Sequence, residues 1–170
     1  MTGPTHVMHA DDIAGTAFGF RHPLDPSCGC IMAPMSRAAG MQNGAVNLVR
    51  IAPGEQGFPF HRHHGEDEWL FVLDGTGEVR IDDDRHAVSK GAFAHFPAGG
   101  PAHAVRNTGK VELVCLMGGT GKTADIIDVP ELGYRVAATG GAFHAARTDA
   151  FQQIVPGGNT IADANAGGDA

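Results

Sequence analysis

The sequence is poor in cysteine, in aromatic residues and in positive charge, and each shortage excludes a class of protein. Three cysteines in 170 residues cannot form the framework of a disulfide-rich protein. Twelve Lys and Arg against nineteen Asp and Glu give a formal net charge of -7, which argues against general binding to nucleic acids or to an anionic membrane. No apolar run approaches the roughly 20 residues of a membrane span, and the N-terminus lacks the pattern of a secretion signal. We therefore expect a cytoplasmic protein that binds neither nucleic acid nor membrane.

Glycine and proline are abundant, and short β-rich runs alternate with turn signals. The chain has 25 Gly and 10 Pro, aromatic residues make up only 6% of it, and 42% of its residues are hydrophobic, enough for one sizeable core. The predicted strands lie at 45–52, 68–74, 77–82, 85–88, 91–96, 102–107 and 111–117. Strands at this regular spacing of about 8–12 residues are typical of an antiparallel sandwich or barrel. The acidic stretch 82–84 then reads as a solvated turn, and we predict no long helix before residue 120.

The segments before and after this central region differ from it in composition and in hydrophobic periodicity. Residues 1–44 show no lasting period of 2 or 3.6 and are predicted to form an irregular N-terminal arm. Residues 119–155 are predicted to form a C-terminal extension that packs on the barrel or on a partner subunit. Residues 156–170 have almost nothing to bury and are predicted to be a flexible tail. The one predicted domain is therefore 45–118.

Histidine is the informative excess, with ten residues, three of them in the stretch 61–64. On a strand, His61 and His63 face the same side, because alternate residues share a face. Glu68 begins the next strand, and His103 begins a later one after a Pro/Gly turn. Three imidazole nitrogens and one carboxylate oxygen suit a borderline divalent ion. We expect iron, manganese, nickel or zinc and make no choice among them. This site leaves coordination positions open for water or substrate.

The segment 57–75 resembles the first motif of the cupin superfamily: His61-x-His63, four residues, Glu68, six residues, Gly75. Residues 91–107 resemble the second motif, with Gly, Pro and Gly at 91, 97 and 99, then His103 and Asn107. The usual form has two residues between the last Gly and the His, and this chain has three, whereas the spacing from His to Asn is kept. The chain is also similar to a group of small single-domain cupins with no established substrate.

The resemblance implies an all-β jelly-roll barrel that holds one metal ion through His61, His63, Glu68 and His103, with one barrel per chain. Many cupins are homodimers, so we expect a homodimer here. The superfamily includes oxygenases, decarboxylases, isomerases, lyases and non-catalytic sensors, so the fold leaves the reaction open. We expect a metal-dependent enzyme of the oxygenase, lyase or isomerase class acting on a small oxygenated organic molecule. The alternative is a non-catalytic module that binds or senses a small ligand.

A few further side chains are candidates for a role at the site. His95 lies mid-strand and becomes a candidate general base if it points into the barrel; otherwise it is an outer residue. His64 has the opposite parity to its neighbours and is expected at the surface. Glu66 or Asp67 either orients an imidazole or is a solvated loop acid. By alternation from Glu68, the side chains at 70 and 72 should face inward and form an apolar wall.

Two cysteines and two arginines outside the His and Glu motifs are also candidates for a functional role. Cys28 and Cys30 are expected to be reduced loop thiols, with a soft-metal site as the weaker alternative. Arg50 and Arg106 either pair with an anionic substrate or simply cover an outer face.

Overall fold

The computed structural model describes residues 6–152 and 154, and its architecture is almost entirely antiparallel β. The strands are β1 (Phe18–His22), β2 (Asp25–Ala33), β3 (Ala45–Ile51), β4 (Arg62–His63), β5 (Glu68–Asp74), β6 (Thr76–Ile81), β7 (Asp84–Ser89), β8 (Phe93–Phe96), β9 (His103–Asn107), β10 (Leu113–Gly119), β11 (Ala124–Val129), β12 (Tyr134–Thr139) and β13 (Ala142–Arg147). Two short α-helices, α1 (Ala10–Gly15) and α2 (Met35–Ala38), and two 3-10 turns, Pro130–Leu132 and Thr148–Ala150, complete the described elements. The expected all-β jelly-roll barrel is confirmed.

The strands form three sheets. A six-stranded sheet has the order β1-β2-β3-β10-β5-β8, and a three-stranded sheet has the order β7-β6-β9. A four-stranded sheet has the order β13-β12-β11-β4 and lies mostly after the central region of the chain. Strand β4 therefore joins a segment of the barrel to the C-terminal hairpins.

The core lies between the six-stranded and three-stranded sheets. Val49, Leu70 and Val72 from the larger sheet pack in one cluster with Val79 and Val105 from the smaller one. Leu70 and Val72 are 1% and 0% exposed, which confirms that they face inward by alternation from Glu68.

The N-terminal segment is more regular than its sequence indicates. Strands β1 and β2 pair with each other over most of their length, and β2 also pairs with β3, so the segment extends the large sheet. Their glycines and prolines disrupt the hydrophobic alternation, which is why the sequence pattern predicts an irregular arm. The predicted tail at 156–170 lies outside the described residues.

Gly75 and Asn107, two motif positions, have structural reasons for their identity. Gly75 has φ +83, and a Cβ there would collide with the carbonyl oxygen of Glu112. The Asn107 amide donates to the carbonyl oxygens of Ile51 and Val111 at 2.7 and 2.8 Å. Its own Oδ1 accepts from the backbone N–H of Gly109 at 2.8 Å. Asn107 is completely buried and ties three loop and strand ends together.

Replacing Asn107 with Ala should lower the free energy of unfolding by about 2–4 kcal/mol, because two carbonyls and one N–H lose their partner in a buried place. Urea denaturation followed by circular dichroism measures this loss. Asn43→Ala is the control, since Asn43 is exposed in the loop before β3, and it should change the stability by no more than about 0.5 kcal/mol. Equal losses in the two variants would contradict the assigned role.

Candidate metal centre

The His-x-His segment crosses from one sheet to another. The backbone N–H of His61 donates to the carbonyl oxygen of His103 at 3.0 Å, and the N–H of His103 donates back at 2.7 Å, which ties His61 to β9. Two residues later, His63 pairs with Ile127 of β11. The two imidazole rings end 5.1 Å apart, on the same side of the segment, as alternation predicts.

One carboxylate oxygen lies close to all three imidazoles that were predicted to be ligands. The Oε2 atom of Glu68 lies 3.3 Å from Nε2 of His61 and 3.3 Å from Nε2 of His63. It lies 3.0 Å from Nε2 of His103. The potential ligand atoms of His61, His63 and Glu68 are all within 4.8 Å of one another. The structure therefore brings the four predicted ligand residues together at the end of the barrel where β5 and β9 begin.

The outer nitrogens of two of these rings are already occupied. Nδ1 of His61 lies 2.8 Å from the carbonyl oxygen of Pro59, and Nδ1 of His63 lies 2.5 Å from Oδ2 of Asp125. A carbonyl and a carboxylate can only accept, so each Nδ1 is the N–H donor. A neutral ring then directs the lone pair of Nε2 at the Glu68 oxygen.

Lone pairs that face a carboxylate repel it unless a cation or an extra proton lies between them. The donor set of three imidazole nitrogens and one carboxylate oxygen is the set that borderline divalent ions accept. The residues present thus fit a divalent metal ion on the chemistry of their inward-facing atoms.

His103 is held differently from the other two histidines. Its ring stacks on Phe96 with 3.7 Å between centroids and 1° between planes. Its Nδ1 is buried and has no hydrogen-bond partner among the described residues. Burial lowers the pKa of His103, and the positive charges of the neighbouring histidines add to this effect. The lowered pKa favours the neutral ring, although the hydrogen bond between its Nε2 and Glu68 acts in the opposite direction.

The electrostatics of the cluster favour positive charge at its centre. Burial by itself lowers the pKa of His63, but hydrogen bonds and charge from Glu68 and Asp125 outweigh it and raise the pKa to about 9. Burial by itself raises the pKa of Glu68, yet the three histidines hold it well below its ordinary value. The carboxylate stays ionised and attracts either protons or a metal ion.

His95 does not join this cluster. In the β5–β8 pair, Glu68 is opposite Phe96 and Trp69 is opposite His95, so His95 shares the outward face with Trp69. His95 is exposed, whereas Phe96 is buried against His103. The structure thus selects the outer alternative for His95 and leaves it away from the inward-facing donors.

The other loop candidates have structural partners. His64 is half-exposed and its Nε2 contacts Oδ2 of Asp128 at 2.8 Å. Glu66 accepts from the N–H of Gly121 at 2.7 Å, and Asp67 accepts from the N–H of Ala98 at 2.8 Å. Neither loop acid forms a hydrogen bond to an imidazole in the structure, although Glu66 lies close to His63.

Asp125, which accepts a hydrogen bond from the outer nitrogen of His63, was not predicted from the sequence. Asp125 is 8% exposed and Asp128 is 6% exposed, on a strand that otherwise carries apolar residues. Two acids in a buried strand were the only available signal. No spacing rule connects Asp125 with a histidine that lies 62 residues earlier in the chain.

The cysteines and the two arginines lie outside the centre. Cys28 and Cys30 are free and buried on β2, not in a loop, and burial raises the pKa of each to about 11. Neither thiol is thus prepared as a thiolate ligand. Arg50 forms an exposed pair with Glu112 at 3.3 Å, and Arg106 is exposed.

Comparison with known proteins agrees with this architecture. The family model described as "Cupin domain" matches residues 47–118. A solved sugar phosphate isomerase of a cupin superfamily, from Silicibacter pomeroyi, matches with a TM-score of 0.73 and 26% identity over 78% of this chain and 87% of that one. The chain contains a cupin domain at residues 47–118.

Two further relatives of this cupin differ in how much they cover. A putative sugar phosphate isomerase from Acidithiobacillus ferrooxidans matches with a TM-score of 0.82 and 26% identity, over 88% of this chain and 97% of that one. Quercetin 2,3-dioxygenase of Bacillus subtilis is 35% identical over 66 residues, which is 38% of this chain and 20% of that protein. The cupin thus spans only a fifth of the dioxygenase. Among its described residues, no helix is long and apolar enough to cross a membrane.

Proposed function

We propose that this cupin binds one divalent metal ion through His61, His63, Glu68 and His103. The observation that supports the proposal is the outward anchoring of Nδ1 in His61 and His63, which directs their Nε2 atoms at the Glu68 carboxylate. A bound ion would act as a Lewis acid that polarises an oxygen of a small molecule. Iron, manganese, nickel and zinc all accept this donor set, so the ion is proposed without a choice among them.

We further propose that the centre is catalytic and that its substrate is a small oxygenated organic molecule. The Glu68 side chain is 32% exposed while that of His103 is only 5% exposed, so solvent reaches the centre from the side of Glu68. Phe96, which stacks on His103, supplies an apolar wall beside it. Such a site, with one polar end and an apolar wall, suits a small ligand better than a polymer.

The comparisons favour an isomerase among the proposed classes. The two solved isomerases align over most of their own length, whereas the dioxygenase aligns over a fifth of its length. A sugar phosphate is itself a small oxygenated molecule, and it enters the proposal as the first substrate class to test.

A non-catalytic ligand-binding cupin is the second candidate. The observation that favours it is the outward position of His95, which removes the one acid–base residue predicted from the sequence. A sensor needs the metal and a ligand pocket but no proton donor.

The metal proposal predicts that the double variant His61→Ala/His63→Ala loses the ion. After loading with zinc, manganese or iron(II) and removal of the excess, elemental analysis should give about one equivalent in the wild type and little in the variant. Wild-type affinity should rise by about tenfold per pH unit up to about pH 9, because the pKa of His63 without metal is about 9 and binding must displace its proton. Below pH 5 the site should empty.

The matched control is His86→Ala/His144→Ala, which removes two exposed histidines. This control should keep a full equivalent of metal. Full retention of metal by the His61/His63 variant would refute the assigned ligands.

The catalytic proposal predicts turnover that requires the metal. Aldose phosphates incubated in D2O with each loaded form should exchange the proton at C2 and yield ketose phosphates, detected by NMR. Oxygen uptake with a flavonol tests the oxygenase class in parallel. Silence across the iron, manganese, nickel and zinc forms, together with calorimetric binding of an unaltered ligand, would favour the sensor instead.

The cytoplasmic homodimer is proposed as well. Leu48, Leu116, Phe71 and Phe93 form one row across the outer face of the large sheet. Phe93 is 64% exposed and lies on the edge strand β8. In this row Phe71 and Phe93 are exposed, whereas Leu48 and Leu116 are partly buried. An apolar row of this kind is typical of interfaces, and a twofold axis would bury it in both copies.

Light scattering of the wild type should give the mass of a dimer, and Phe93→Lys should shift it to the mass of a monomer. Val111→Lys is the control, since Val111 is 63% exposed but lies in the loop before β10, outside the row. A monomeric wild type would exclude the homodimer.

A further inference from the structure

The carboxylate of Asp125 is held by three hydrogen bonds from its surroundings. Its Oδ1 accepts the backbone N–H of Gly65 at 2.7 Å and that of Ile126 at 2.8 Å. Its Oδ2 accepts Nδ1–H of His63 at 2.5 Å. The side chain is 3% exposed, so water does not compete for these bonds. The two oxygens therefore have different and non-exchangeable partners.

This residue lies outside the part of the chain that matches the cupin domain. The match ends at residue 118, and Asp125 is on β11. Strand β11 pairs Ile127 with His63 and Asp128 with Arg62, which sets Asp125 beside the outer nitrogen of His63. The C-terminal extension thus reaches a side chain of the candidate metal centre.

We propose that Asp125 is a positioning residue that selects the tautomer of His63 and so keeps the Nε2 lone pair available to the metal. This inference rests on the proposed metal centre. A carboxylate that accepts the outer N–H of a ligand histidine orients the ring and raises the basicity of the opposite nitrogen. Here the partner comes from outside the domain that carries the ligands.

Because the two oxygens of Asp125 have different partners, we expect Asp125→Asn to weaken metal binding more than Asp125→Ala does. In Asp125→Asn, the amide oxygen must stay at the Oδ1 position because Gly65 and Ile126 both donate to it. The NH2 group then faces Nδ1 of His63 and donates to it. The neutral ring must carry its proton on Nε2, where it can no longer bind a metal ion. In Asp125→Ala no group selects the tautomer, so both remain accessible.

A merely supporting role for Asp125 predicts the opposite order. Asparagine preserves the shape of the side chain and both backbone hydrogen bonds, whereas alanine removes them. If Asp125 only holds the loop, the Asn variant should be the milder change. Asp128→Asn is the matched control, since Asp128 is buried on the same strand but contacts Arg62, His64 and Arg135, none of them a proposed ligand.

The test measures zinc affinity of the full chain by competition with a chelator, with circular dichroism as the check on folding. Asp125→Ala should lower the affinity by about 10–100-fold, and Asp125→Asn should lower it further, by more than about 100-fold. Asp128→Asn should remain within about tenfold of the wild type. An Asn variant that binds zinc as tightly as the Ala variant or tighter would overturn the proposal.

A second measurement does not depend on metal binding. Nitrogen-15 NMR of the metal-free protein, recorded at a pH high enough for the spectrum itself to show a neutral His63 ring, reports which nitrogen carries the proton. The proton should be on Nδ1 in the wild type and on Nε2 in Asp125→Asn. A proton that stays on Nδ1 in the variant overturns the proposal. If Asp125→Asn changes the tautomer but the wild type binds no zinc, the proposed metal-binding function is refuted and the positioning role of Asp125 is not.

Discussion

A carboxylate oxygen surrounded by three imidazole nitrogens is the constraint on which the rest of the site depends. Glu68 is ionised, and its Oε2 lies within 3.3 Å of the nearest nitrogen of each ring. Such a cluster is stable only when positive charge is supplied to it, by protons or by a cation. The contacts of Pro59 and Asp125 turn the Nε2 atoms of His61 and His63 inward, toward the place that the proposed cation would occupy.

The barrel meets this constraint by bringing distant parts of the chain to one end. Glu68 begins β5 in the large sheet, and His103 begins β9 in the small sheet. Position 75, where only glycine fits, lets the chain turn sharply between β5 and β6. Asn107 fixes the other end of β9 through buried hydrogen bonds to the carbonyl oxygens of Ile51 and Val111. Gly75 and Asn107, which are not proposed metal ligands, thus help to position the strands that carry the donors.

Much of this architecture follows from the sequence pattern, because local rules decide it. Alternation from Glu68 correctly predicts the inward direction of Leu70 and Val72, and turn residues mark the strand ends. Two features follow from no local rule. The direction of His95 depends on the register of β8 against β5, which the sequence alone does not specify. Asp125 reaches His63 only through pairing between strands that are about sixty residues apart.

The two-residue strand β4 has a mechanical consequence. His61 is hydrogen-bonded to the small sheet through His103, and His63 belongs to the sheet of the C-terminal hairpins. An ion bound to both rings would therefore cross-link the small sheet and the sheet of the C-terminal hairpins. Occupancy of the proposed centre would then stabilise the hairpin sheet, and a less rigid hairpin sheet would bind the ion less tightly.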